Sequence, residues 1–293
     1  MRKLSLLMMM LFVSGLVFAG EKEEVGEKKE KEDKKVLNIL KDVWNDEYAA
    51  EDDEDEKAFP LTMGLDFVSR YVWRGQTYNT SPSIQPFLEY SVGNDKIGFT
   101  MGTWSSWSFA NNNDGSTNEI DLYGSLSAGI FSLFYTDYFY PSEATINSGS
   151  DNFWQWRNKS NNTNPSGHTH EIGISLASDD FPLSAVFTSN VGGGGDLIMK
   201  DGEIKQGFAT YLELDYAIRD GINVFVGAAS DRGSGWHIQD PKGKGYKFMV
   251  VNVGLTASKE IHVGKVNIPL SASFIVNPDA RNVFFVAAIG LSN

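Results

Sequence analysis

The sequence predicts an all-β protein, an antiparallel transmembrane β-barrel of about twelve strands preceded by a disordered acidic arm, and three observations carry that reading. From Leu61 onward, segments such as Glu119-Ile-Asp-Leu-Tyr-Gly-Ser-Leu-Ser-Ala, Thr210-Tyr-Leu-Glu-Leu-Asp-Tyr-Ala-Ile-Arg and Lys265-Val-Asn-Ile-Pro-Leu-Ser-Ala-Ser-Phe-Ile alternate apolar and polar residues. A period of two marks a strand with unlike faces. The segments run to about ten residues, the length that crosses a bilayer as a tilted strand, whereas strands of soluble sheets average about five or six. The connections between them alternate between short polar turns and long loops, as in bacterial barrels.

The chain divides into 1–19, 20–60 and 61–293. Met1-Arg2-Lys3 is a basic start, and Leu4 to Val17 is an apolar, uncharged run shorter than the roughly 20 residues of a spanning helix. Val17-Phe18-Ala19 then supplies a cleavage site, so residues 1–19 read as a signal peptide cleaved after Ala19. The absence of Cys excludes a lipoprotein anchor, a disulfide and thiolate chemistry. Residues 20–60 carry sixteen acids and eight bases, ending in Glu51-Asp-Asp-Glu-Asp-Glu-Lys57. Such blocks repel and stay solvated, which predicts a charged periplasmic arm or linker. Val36, Ile39, Leu40, Val43 and Trp44 fall at helical spacing within it, leaving open a short helix docked at the barrel or binding a partner. With 38 Asp and Glu against 25 Lys and Arg, nothing here neutralises phosphates, so nucleic acid is not an expected partner.

The alternation predicts strands at 61–74, 83–92, 97–108, 118–128, 130–140, 169–178, 182–191, 207–219, 221–231, 246–258, 265–276 and 282–292. Gly93-Asn-Asp-Lys96, Ala128-Gly129, Ser178-Asp-Asp-Phe181 and Arg219-Asp-Gly221 are tight turns, with a longer one at Lys259–Gly264. The long loops are Gly75–Pro82, Phe109–Thr117, Pro141–His168, Gly192–Gln206 and Arg232–Gly245. An even count puts both termini on the turn side. Outward go Ile120, Leu122, Leu126, Leu212, Leu214, Tyr216, Ile218, Val266, Ile268, Leu270, Phe274, Val283, Phe285 and Ile289. Inward go Asp121, Ser125, Ser127, Tyr211, Glu213, Asp215, Asn267, Ser271 and Ser273. Trp73, Trp107, Tyr138, Phe139, Tyr140, Phe208, Tyr246 and Phe248 gather at the loop ends of strands, where an aromatic girdle would meet the headgroups.

The first strands read Leu65-Asp-Phe-Val-Ser-Arg-Tyr-Val-Trp-Arg-Gly75, Ser81-Pro-Ser-Ile-Gln-Pro86, Met101-Gly-Thr-Trp-Ser-Ser106, Asn118-Glu-Ile-Asp-Leu-Tyr123 and Thr136-Asp-Tyr-Phe-Tyr-Pro141. This succession resembles the TorF-type porin family. His170-Glu-Ile, Phe181-Pro-Leu-Ser, Val251-Asn-Val-Gly and Val276-Asn-Pro278 resemble its Bacteroidetes-like form. The resemblance spans 61–293 and implies an outer-membrane barrel that passes small solutes. The end, Gly290-Leu-Ser-Asn293, lacks the terminal aromatic that the barrel-assembly machinery reads in many such proteins, so Phe284-Phe285 would serve or the rule is looser here.

Asp66, Arg70 and Arg74 share the inward face of the first strand, and Glu89, Asp121, Glu171, Glu213, Asp215 and Arg219 join them, with Asp137 as a further candidate. Charges survive there only with water or opposite charge. The set is either a constriction with a transverse field that selects solutes or a brace of ion pairs filling a narrow barrel. Phe153, Trp154, Trp156 and Arg157 stand in the longest loop, either folded over the mouth to stack on a solute or packed on the barrel's own rim. Gly192-Gly-Gly-Gly195 lacks the strand-to-helix context of a phosphate loop. His168 and His170 point the same way in a strand; with Asp151 they make an incomplete metal set, and His237 and His262 lie on opposite sides of the membrane. No Ser-His-acid constellation converges. The expectation is a non-catalytic channel without a cofactor, in contact with outer-membrane lipid and passing small solutes by weakly selective diffusion. A plugged structural or adhesive barrel, a barrel enzyme and a soluble all-β binding protein are the alternatives.

Overall fold

In the computed structural model the described residues are 60–94, 96–110, 118–141, 152–156, 166–232, 234–238, 247–264 and 266–292; the signal segment, the arm before Pro60, Asp151, Arg157 and Tyr246 lie outside them. The strands are β1 (Leu61–Val68), β2 (Tyr71–Trp73), β3 (Gln76–Asn79), β4 (Ser83–Gly93), β5 (Ile97–Ser108), β6 (Glu119–Ala128), β7 (Phe131–Phe139), β8 (His168–Ser178), β9 (Phe181–Gly193), β10 (Leu197–Lys200), β11 (Glu203–Gln206), β12 (Thr210–Arg219), β13 (Ile222–Asp231), β14 (Lys247–Val263), β15 (Val266–Asn277) and β16 (Asn282–Ser292). Twelve of them form one closed antiparallel barrel in the order β1-β16-β15-β14-β13-β12-β9-β8-β7-β6-β5-β4. Closure runs through β1 and β16, from Gly64 opposite Ser292 to Val68 opposite Ala288. The ring has no free edge, so the wall's backbone groups find partners without water.

Alternation fixes the two faces. Leu126, Leu214, Tyr216, Ile218, Phe274, Val283, Phe285 and Ile289 are exposed on the outside, whereas Asp121, Ser125, Tyr211, Glu213 and Ser273 are buried within. The outward set forms an apolar belt of the kind that lipid covers. On one side of the barrel five connections are tight turns, with Gly129, Gly221 and Gly264 at positive φ, and β1 begins and β16 ends on that side.

Four inward aromatic rings share a device that the sequence reading did not anticipate. Phe87, Tyr123, Phe134 and Phe225 stand directly opposite Gly64, Gly102, Gly173 and Gly254 on the neighbouring strand. A Cβ at any of those glycines would overlap the ring. Each ring therefore lies along the wall in the room its glycine leaves.

Several expectations need correction. The first strand does not run to Arg74: it stops at Val68, and residues 71–79 turn inward as the β2–β3 hairpin. The longer turn expected at 259–264 is strand instead, because β14 and β15 continue pairing to Val263 opposite Val266. The strand expected from 207 starts at Thr210, after a small β10–β11 hairpin within the loop. Of the aromatic girdle, Trp107, Phe208 and Phe248 are exposed outside, but Trp73, Tyr138 and Tyr140 belong to the interior cluster and Phe139 is covered.

The face assignment has a direct check. Leu214→Arg puts a charge on the apolar belt and should cost about 2–4 kcal/mol at mid-membrane. Asp215→Arg changes a half-buried inward residue and should cost far less. Refolding yield, read as heat-modifiable migration on detergent gels, should fall sharply for the first variant only.

Candidate functional site

The β2–β3 hairpin leaves the long-loop end of β1 and crosses the lumen. Its tip, Arg74-Gly75, has positive φ at both residues (49° and 74°), the geometry of a two-residue hairpin turn. Glycine is required at the second position, because a Cβ there would strike the Val251 carbonyl on β14. Asn277 Nδ2 on β15 donates to the Gly75 carbonyl at 3.0 Å, and Gln76 Nε2 donates to the Trp236 carbonyl at 2.8 Å. The hairpin is thus fastened to β15, two strands from β1 in the ring, and to the loop after β13.

Arg74 makes the strongest of these attachments. Its Nη1 and Nη2 donate to the two carboxylate oxygens of Glu171 on β8, at 2.6 and 2.9 Å. The hydroxyl of Tyr138 donates to Glu171 Oε1 at 2.8 Å. The guanidinium lies 4.3 Å from the Trp73 ring centre and 4.5 Å from that of Tyr211. Tyr211 in turn donates to Glu213, and Asn252 Nδ2 donates to the Tyr211 hydroxyl at 3.0 Å and to Glu213 Oε2 at 2.7 Å. One chain of contacts therefore joins β8, through the hairpin tip, to β12 and β14. Glu171 is fully buried and Arg74 nearly so, and removing one partner of such a pair costs about 3–5 kcal/mol by stranding the other.

Aromatic rings fill the space around this chain. Trp73 meets Tyr138 at 5.4 Å, Trp236 at 6.1 Å and His237 at 5.6 Å; Tyr71 meets Trp104 at 5.5 Å, and Tyr78 stacks on Tyr140 at 5.9 Å. The His237 backbone N–H donates to Asp231 Oδ2 at 3.2 Å, and its Nε2 is 3.5 Å from Arg74 Nη1. Burial, and then the neighbouring Arg74 charge, hold the His237 pKa well below the ordinary range, so its ring is neutral and accepts from the arginine.

The residues singled out in the sequence separate as follows. Asp66, Glu89, Asp121, Glu171 and Glu213 are buried inside the barrel and Asp215 is half-buried there. Glu89 accepts from Ser91 at 3.0 Å and from Tyr123 at 3.3 Å. Arg70 lies inside with its guanidinium 5.3 Å from the Phe284 ring centre. Arg74 is in the lumen, but on the hairpin tip and not on the wall, because the chain bends after Val68. Arg219 does not join the set: it is exposed at the turn end, beyond a register shift between Ala217 and Arg219. Asp137 points outward, with the parity of Leu133 and Tyr135. The expected facing walls of arginine and carboxylate are therefore replaced by one arginine brought to a carboxylate on a hairpin. Sequence reasoning passed over Glu119, a buried carboxylate two residues before Asp121 on the same face, which the Glu-Ile-Asp spacing already displayed.

Trp154 and Trp156 do not sit over the mouth. Trp156 stacks on His168 at 4.4 Å, and His168 belongs to the outward face of β8. Residues 152–156 thus lie against the outside of the wall, and Arg157 falls outside the described residues. Among the described residues no group of three or more His, Cys, Asp or Glu side chains converges as a metal site would require.

Residues 52–182 match a family described as a bacterial protein of unknown function (Gcw_chp). No curated protein matches the chain. Among solved structures it is similar to the KdgM porin, at 8% identity over 79% of this chain and 97% of that one, with a TM-score of 0.36. It is also similar to the CymD monoaromatic hydrocarbon channel (10%, 79% and 86%, TM-score 0.37) and to outer membrane phospholipase A from Escherichia coli (10%, 79% and 91%, TM-score 0.33).

Two outcomes follow from the hairpin's seat. Arg74→Gln should release the hairpin by removing both bonds to Glu171, and single-channel recording in planar bilayers should show a higher conductance than the unmodified protein. His237 adds a pH dependence. Its seated form resists a proton that a released imidazole takes up at about pH 6.5, so seating weakens as pH falls through that value. Conductance should therefore rise between pH 7.5 and 5, and His237→Gln should flatten that rise.

Proposed function

We propose that the chain is an outer-membrane channel for passive, weakly selective diffusion of small solutes, narrowed on its long-loop side by the β2–β3 hairpin. The observation that carries this reading is the division of one closed barrel into an apolar outside and a polar, charge-lined inside. In this reading residues 1–19 direct export, the barrel-assembly machinery inserts the protein, both ends of the barrel chain face the periplasm, and the long loops face outward. The TorF-type resemblance of the first strands agrees with it. The chain is read as non-catalytic, since the buried His168 has Asp137 on one ring nitrogen and a backbone carbonyl on the other.

A second reading, a plugged structural barrel, is favoured by the packing of Trp73, Tyr138 and Trp236 across the outer half. Conductance separates the two. Current through the unmodified protein supports the channel, whereas silence of both this protein and Arg74→Gln supports the plug.

The lumen carries Asp66, Glu89, Glu119, Asp121, Glu171, Glu213 and Asp215 against Arg70 and Arg74. Fixed negative charge between low-dielectric walls concentrates cations. The channel should show a weak cation preference that screening reduces at high salt. Asp121→Asn combined with Glu213→Gln should lessen it, and reversal potentials across a salt gradient measure both effects. Anion selectivity of the unmodified protein would instead make Arg70 and Arg74 the governing charges.

A further inference from the structure

Along β7, Phe131, Leu133 and Tyr135 are exposed on the outside, as are Ile172, Ile174 and Leu176 along β8. The β7–β8 register runs unbroken from Phe131 opposite Leu176 to Phe139 opposite His168. Parity therefore carries Asp137, Phe139, His168 and His170 onto the same outward face, at the long-loop ends of their strands. Asp137, Phe139 and His168 are nonetheless buried, and residues 152–156 cover them.

The cover is fastened by polar bonds. Asp137 is shared by two histidines, His168 Nδ1 at 2.8 Å and His170 Nδ1 at 3.2 Å. Their other ring nitrogens reach backbone carbonyls of the covering segment, His168 Nε2 that of Phe153 at 2.7 Å and His170 Nε2 that of Trp156 at 3.0 Å. The Tyr135 hydroxyl meets His170 Nδ1 at 2.8 Å, and Phe153 packs edge-on against Phe139 at 5.2 Å. A carboxylate and two imidazoles on an apolar face are costly unless their polar atoms are bonded, and this arrangement bonds them. It leaves the Trp154 indole 78% exposed beside Phe153 on the outside of the wall. The exposed Trp107 on β5 and Phe248 on β14 stand at the same rim, and Phe208 just precedes β12, so the segment continues an aromatic rim that already borders the apolar belt.

We propose that residues 152–156 are a membrane-interface anchor, held flat on the outer wall by the Asp137–His168–His170 clasp so that Trp154 inserts among the headgroups of the outer leaflet. Indole suits that layer because it is apolar with one N–H donor. The inference rests on the outer-membrane reading above, and its test separates the two. The full chain is refolded into vesicles containing lipids brominated near the headgroup, and the emission of Trp154 is isolated as the difference between the unmodified protein and Trp154→Phe. That difference should be quenched by the brominated lipid and little affected by acrylamide. Asp137→Asn combined with His168→Gln should reverse this preference while leaving heat-modifiable migration intact. Quenching by acrylamide alone in the unmodified protein would overturn the anchor. Shielding from both quenchers would overturn it too, by indicating a second copy or another protein on that surface. Trp107, isolated in the same way through Trp107→Phe, reports on the barrel: if brominated lipid fails to quench it, the membrane reading itself is lost.

Discussion

Pairing of the backbone without help from water is the constraint from which the rest of this structure follows. A wall whose outside is covered by apolar side chains leaves its N–H and C=O groups no solvent, so every strand needs two neighbours and the sheet must close. Closure of β1 on β16 ties all twelve strands into one register, and register fixes parity. A slip of one residue would turn Leu214 and Ile218 inward and bring Glu213 and Asp215 into the apolar belt. Register shifts at Ala217/Arg219, Gly227/Ala228 and His170/Glu171 are local, and pairing resumes on both sides of the second.

The barrel was legible in the sequence because parity repeats. About ten residues of alternation, met again and again, specify strands and faces together and bring the strand number close to twelve. The hairpin was not legible for the same reason. Tyr71, Val72 and Trp73 continue the alternation of β1, so periodicity alone extends the strand through them. Only Arg74-Gly75 breaks the pattern, and Arg is an uncommon first residue for a turn of positive φ. Its conformation is sustained by contacts that no local pattern records, with Glu171 97 positions away and with the carbonyl of Gly75 held by Asn277. The inward placement of the acids was readable residue by residue, whereas their partnering was not. Long loops carry no parity, which is why the position of Trp154 and Trp156 outside the wall was open until the structure fixed it.

Arg74 changes what the acidic lumen can do. Read from the sequence, the arginines and carboxylates suggest either a field between opposing walls or a brace of ion pairs. In the folded chain one arginine has been carried to Glu171 and sandwiched between Trp73 and Tyr211, so this ion pair fastens the hairpin inside the barrel. Of the remaining carboxylates, Glu89 has the Tyr123 hydroxyl and Glu213 the Asn252 amide as neutral donors.

The difference between the two ends of the lumen follows from volume. Toward the turn end, Phe134 and Phe225 lie over Gly173 and Gly254, so large rings thicken the wall only where a neighbour has given up its side chain. At the long-loop end, Tyr138, Tyr211 and Trp104 face Trp73, Arg74 and Tyr71 of the hairpin, and rings meet rings. The wall is the same closed sheet at both levels. What differs is whether the opposing residue is glycine or a segment returned from the first loop, and that choice makes the long-loop end of the lumen the seat for the hairpin.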